Sequence, residues 1–211
     1  YETRKQNFYN IHTNIPDLVS KICSESDVKK FIHISAIGAS DTSNSLYQKS
    51  KYQGEVKALK NFKNTIIIRP SVVCGTEDKF TNLFSKLSFL PVIPVCGINY
   101  NFQPILVSDV ADAIVQSIQI KNNEKNIYEI GGPKIISFGS MIKSILKTIN
   151  KKRLVVEMPM IIAKAQSTII DLLPITPILT KDQCKILTEA DNVVSNKHLT
   201  LKDLDINPSD V

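Results

Sequence analysis

The segment Tyr47-Gln48-Lys49-Ser50-Lys51 holds a tyrosine and a lysine four residues apart. On a helix, residues at this spacing share one face. A phenol beside an ammonium is favoured in its ionised form, so its pKa falls from about 10. Such a pair could act as a general acid/base near neutral pH. The ammonium could also donate hydrogen bonds to a sugar hydroxyl. Spacing alone is weak support, because this lysine-rich chain offers a second match, Tyr1 to Lys5, which reads as accidental. An ordinary solvated helix face is the alternative reading of Tyr47 and Lys51.

The elements that would position this pair follow from hydrophobic periodicity. Phe8, Ile11, Ile15, Leu18, Val19 and Ile22 recur at helical spacing over residues 8–27. Residues 30–35 read as a short buried strand, a polar loop follows, and 45–62 are helical again. Thr65-Ile66-Ile67-Ile68-Arg69-Pro70 is the β-branched run of a strand buried on both faces. Further strands are expected at 92–95, 102–107, 127–130 and 154–158. Helices are expected at 78–89, 108–118, 137–149, 160–173 and 180–190, with Ser108 as a helix N-cap. Alternating strands and helices predict an α/β fold with a doubly wound, mostly parallel sheet. Residues 1–130 would form the sheet domain and 131–211 a small, mostly helical lobe, to which segments around 90–107 could also belong.

Composition narrows the class. The 211 residues are 43% hydrophobic and 22% charged, enough to bury a core without disulfides or metals. The net charge of +6 is scattered, and only Arg4, Arg69 and Arg153 are arginines. No basic cluster is longer than Lys151-Lys152-Arg153, so nucleic acid is not an expected partner. The four cysteines and three histidines are dispersed, which excludes a zinc pattern and suits free thiols in a reducing compartment. His33 reads as a packed core histidine. Arg69 reads as half of a buried ion pair or a backbone contact. The stretch from Met158 to Leu173 reads as a core-facing helix, with docking on a membrane or partner as the alternative. The first residue is Tyr1 rather than Met, which reads as processing or as a piece of something longer.

Several segments occur in a telling order: Phe31-Ile32-His33-Ile34-Ser35-Ala36-Ile37-Gly38, then Tyr47 to Lys51, then Ile66 to Gly75, then Pro104 to Ala111, then Tyr128 to Pro133. Over residues 8–150 this series resembles the extended and atypical short-chain dehydrogenase/reductases, the epimerase/dehydratase-like superfamily. Within it, the strand and loop from Phe31 to Ser40 look most like the nucleotide-binding accessory subunit of respiratory complex I and its bacterial relatives. The resemblance implies that Tyr47 is the catalytic-type tyrosine, Lys51 the lysine on the nicotinamide ribose, and Ser35 the third member. It also implies that Ile34, Pro70, Ser71 and Val73 line the nicotinamide, with NADP or NAD as cofactor. Ala36 stands where the enzymes often carry a second hydroxyl, Cys74 where an aromatic residue is common, and Asp109 at a helix-start acid read as structural.

The chain departs from the pattern in one respect. Its seven glycines form no G-x-G-x-x-G or G-x-x-G-x-x-G. The resemblance therefore implies roughly 80–90 preceding residues, the β-α units that carry the phosphate cradle, and an open sheet edge without them. Three functions follow as expectations. The first is an accessory protein that holds NAD(P)(H) without turnover, with respiratory-complex subunits or a membrane surface as partners, cytoplasmic or peripheral at the inner membrane. The second is an active oxidoreductase or epimerase using Tyr47, Lys51 and Ser35. The third is a truncated, non-binding remnant.

Overall fold

The computed structural model describes residues 7–120, 126–159, 180–187 and 189–211. Its centre is a parallel three-stranded sheet. Strand β1 (Phe31–Ile34) and strand β7 (Ile127–Ile130) flank β2 (Thr65–Pro70). All six residues of β2 are buried, as its unbroken β-branched run predicts. β1 aligns Ile34 with Ile68, and β2 aligns Arg69 with Glu129.

Short ladders extend the fold beyond this sheet. β3 (Val73–Cys74) pairs in parallel with β6 (Ile105–Leu106), and β4 (Val92–Val95) with β9 (Leu154–Glu157). β5 (Asn101–Phe102) pairs antiparallel with β8 (Ile136–Ser137). The expected strand at 102–107 is thus two ladders parted by Gln103-Pro104, since proline donates no ladder hydrogen bond. Helix α4 (Val107–Gln119) begins one residue before Ser108, and no side chain caps it. Ser108 is inside the helix rather than its N-cap. The expected helix at 180–190 ends at Ile186 (α6, Lys181–Ile186), and the one expected at 160–173 lies outside the described residues.

Two apolar clusters hold these pieces. One joins Ile66 and Ile68 of β2 to Ile105, Ala113, Tyr128, Leu201 and Leu204. The other joins Phe84 of α3 (Lys79–Leu87) to Ile93, Phe102 and, in α5 (Phe138–Thr148), to Phe138 and Ile142.

The helix expected over 8–27 is a π-helical turn, Asn10–Asn14, running into α1 (Ile15–Glu25). It crosses α2 (Leu46–Asn61) with its small residues inward: Thr13, Pro16 and Ser20 are buried, while Ile15, Leu18 and Ile22 are 52–58% exposed. Gly54 of α2 explains this orientation. A Cβ there would sit 1.9 Å from the His12 carbonyl oxygen. Gly54→Ala should therefore destabilise the fold by about 1–3 kcal/mol, despite alanine's better helix propensity. A urea titration of both proteins measures this, and an unchanged midpoint would show that α1 does not approach α2 so closely.

Candidate functional site

α2 carries the tyrosine and lysine. Ser45 caps the helix by accepting from the Gln48 amide, which sets Tyr47 in the first turn and Lys51 one turn on. Lys51 Nζ donates to the Ile34 carbonyl at 3.2 Å and lies 5.9 Å from the Tyr47 ring centroid, over its face. This places the ammonium at the carboxyl end of β1, where open parallel sheets bind ligands.

Ser35 follows directly. Its amide bonds to Ile68 of β2, its side chain is 4% exposed, and its hydroxyl has no hydrogen-bond partner among the described residues. No Ser35–Tyr47 hydrogen bond is therefore present. The Ile37 amide bonds to the Pro70 carbonyl, so Pro70 adjoins the same edge. Tyr47, Lys51 and Ile34 are thus brought together, with Ser35 and Pro70 alongside. Ser71 and Val73 have partners outside this group. Ser71 Oγ donates to Asn192 Oδ1 at 2.6 Å, and Val73 pairs with Ile105.

Two residues beside Tyr47 carried no motif in the sequence. The rings of Phe8 and His12 pack edge-on against Tyr47, with centroids 5.7 and 5.2 Å away, and they stack on each other. Their i, i+4 spacing was the available signal. Ser50 Oγ donates to the Tyr47 carbonyl at 2.8 Å, so in the His12–Ser50 bond, 3.0 Å long, the His12 Nδ1–H is the donor.

This packing reverses the expected effect on the phenol. Burial pushes the Tyr47 pKa up from its ordinary value, because Lys51 is aimed at a carbonyl and the ring face rather than at the phenol oxygen. Burial also pulls the Lys51 pKa down, opposed by Glu55. Burial, then the Lys51 charge, lowers His12 and His33 from 6.5 to about 4. Both imidazoles are neutral in the folded protein while the unfolded chain protonates near 6.5. Their neutral burial therefore contributes fully above pH 6.5 and is lost as pH falls from there toward 4. The melting temperature should drop across that window, and His33→Gln should flatten the drop. An unaltered slope would mean His33 is not held neutral. His33 Nε2 is itself buried without a hydrogen-bond partner.

Arg69 is a structural residue. Its guanidinium donates to both Glu55 oxygens, at 2.8 and 2.6 Å, and to Glu129 Oε1 at 3.4 Å. Burial works against its charge and the Glu55 carboxylate outweighs that. Asp109 is structural too, accepting from the Ser209 amide at 2.8 Å. Among the described residues no cluster of histidine, cysteine, aspartate or glutamate could hold a metal, and no helix is long and apolar enough to cross a membrane. A cavity of about 490 Å³ opens between α3 and α5, lined by Cys74, Ser85, Met141 and Ile145, and Tyr47, Lys51 and Ser35 are not in its wall.

No protein-family model matches the chain. Over 222 residues it is 32% identical to NADH dehydrogenase (ubiquinone) 1 alpha subcomplex subunit 9, mitochondrial, of Arabidopsis thaliana, an alignment covering 99% of this chain and 54% of that one. The same subunit of Mus musculus is 28% identical over 211 residues, covering 99% and 56%. The chain is a homologue of these subunits. It spans about half the length of these relatives. Among solved structures, gox2253 superposes with a TM-score of 0.67 at 18% identity, over 99% of this chain and 71% of that one. The dTDP-4-dehydrorhamnose reductase of Bacillus anthracis in complex with NADP superposes with a TM-score of 0.60 at 16% identity, over 86% and 73%. These likenesses show the fold alone, an α/β Rossmann-like architecture.

Proposed function

We infer that this chain supplies the nicotinamide-ribose side of an NADP(H)- or NAD(H)-binding accessory subunit of respiratory complex I, and that it holds the nucleotide without turnover. One observation carries the reading. Lys51 Nζ donates to the Ile34 carbonyl at the carboxyl end of a parallel strand, and the residue that follows, Ser35, has a buried hydroxyl without a partner among the described residues. An orphaned buried hydroxyl and an ammonium at the end of the same strand fit a polyhydroxyl ligand, which satisfies both.

Lys51 and the Tyr47 phenol would hold the ribose, and Ile34, Ser35 and Pro70 would border the nicotinamide. A bound nicotinamide supplies hydride chemistry. The chain's own residues bind and orient it rather than move a proton. Burial keeps the Tyr47 phenol protonated, and Ser35 does not share its hydrogen. Membership of an assembly is supported by the homologous subunits and by the apolar stripe Ile15, Leu18 and Ile22 that α1 leaves exposed. The named relatives are mitochondrial, which supports a place at the periphery of the inner membrane.

Fluorescence titration of the full gene product with NADPH and with NADH tests the reading. Reduced nicotinamide is itself fluorescent, so binding is read from the nucleotide rather than from the protein. Saturable enhancement at micromolar nucleotide, with no oxidation of NADPH over hours, is expected. No saturation at millimolar nucleotide would overturn the reading, and steady oxidation with a carbonyl substrate would replace holding by turnover.

A further inference from the structure

Residues 43–47, which lead into α2, are not held by their own neighbourhood alone. Asp182 Oδ1 accepts from the Leu46 amide at 2.7 Å, and Oδ2 accepts from the Tyr47 amide at 3.1 Å and from Ser45 Oγ at 2.7 Å. Glu189 Oε1 accepts from the Asn44 amide at 2.6 Å, and its Oε2 lies 2.8 Å from Ser43 Oγ. Amides in the first turn of a helix have no intrahelical acceptor, and a carboxylate there also meets the positive end of the helix dipole. The two carboxylates are therefore matched to the donors they meet.

The strap continues past this clamp. The Tyr100 hydroxyl donates to the Ala190 carbonyl at 2.6 Å. Asp191 accepts from the Asn101 amide at 2.9 Å and its side-chain amide at 2.8 Å. Asn192 receives the Ser71 hydroxyl. One stretch of chain thus runs from the amino end of α2 to the loop after β2, the two elements between which the candidate site lies.

We propose that Asp182 and Glu189 are positioning residues for Tyr47, fixing the first turn of α2 so that the phenol and the Lys51 ammonium face the carboxyl end of β1. The inference deepens the nucleotide-binding reading and is tested without depending on it. The protein is labelled with 3-fluorotyrosine and the Tyr47 fluorine resonance is assigned with Tyr47→Phe. In Asp182→Ala/Glu189→Ala the Tyr47 resonance moves or broadens, while in Asp191→Ala, which cuts the strap away from α2, it stays in place. Where the double variant fails to fold by far-ultraviolet circular dichroism, Asp182→Asn, which retains one oxygen acceptor, takes its place and shifts the resonance less far.

NADPH titration of the same variants adds a second readout. With binding established, the double variant weakens affinity by roughly tenfold, the scale of losing a supporting contact behind a binding group, and Asp191→Ala does not. An unmoved Tyr47 resonance in the folded variants would overturn the proposal. So would an equal shift in Asp191→Ala, which would make the strap a general brace. Absence of NADPH binding by the unaltered protein would overturn the nucleotide reading and leave the positioning role to the fluorine measurement.

Discussion

Lys51→Met is expected to weaken NADPH affinity by about 10–100-fold, the range for a lost hydrogen bond to a charged group. The methionine keeps the length and apolar stem of the lysine but removes the ammonium that bonds to the Ile34 carbonyl. Fold stability should change little, because that bond is a partly exposed one. The comparison that isolates the charge is Tyr47→Phe, which keeps the ring packed by Phe8 and His12 and should cost affinity less than tenfold. Equal affinities for Lys51→Met and the unaltered protein would remove the lysine from the site.

The second large effect concerns stability. Glu55→Ala should cost about 3–5 kcal/mol, since it strips the buried Arg69 guanidinium of its bidentate partner and leaves only the longer contact to Glu129. Glu55 and Arg69 side chains are only 2% and 8% exposed, and their bonds are bidentate. In a chain of 211 residues that loss lowers the melting temperature by roughly 10 °C. Glu129 is 3.4 Å from the same guanidinium, but it already receives the Ser195 amide and hydroxyl and cannot replace a bidentate partner. The triple variant Glu55→Leu/Arg69→Leu/Glu129→Gln should recover part of the loss, because no member of the buried cluster then keeps a charge. A melting temperature within 2 °C of the unaltered protein for Glu55→Ala would show that the pair is hydrated and exposed, against a burial scale of about one kcal/mol for surface pairs.

Both effects arise from residues whose partners differ in how readable they are. β2 was legible because six consecutive residues between turn signals must be buried on both faces, and Arg69 sits at its end with few ways to satisfy a charge. Tyr47 and Lys51 were legible because helical spacing alone sets them on one face. The behaviour of the phenol was not, since it depends on Phe8 and His12, more than thirty residues earlier, and on where Lys51 is aimed. Periodicity located the helix over 8–27 but gave no sign of its orientation. The close approach at Gly54 turns Thr13, Pro16 and Ser20 inward and leaves the larger apolar residues outside. Asp182 and Glu189 meet residues 43–47 from more than 130 positions away, and no local pattern encodes such a contact. The strand expected over 102–107 missed the break at Pro104 because its flanks are both strand-like.

An amide shift map of the isotopically labelled full gene product at saturating NADPH reports directly where the nucleotide sits. Within this chain, the site described above predicts shifts centred on Ile34, Ser35, Tyr47 and Lys51, fading along α2 toward Ala58. Shifts confined to the cavity between α3 and α5, around Ser85, Met141 and Ile145, would contradict it, as would a spectrum that NADPH leaves unchanged.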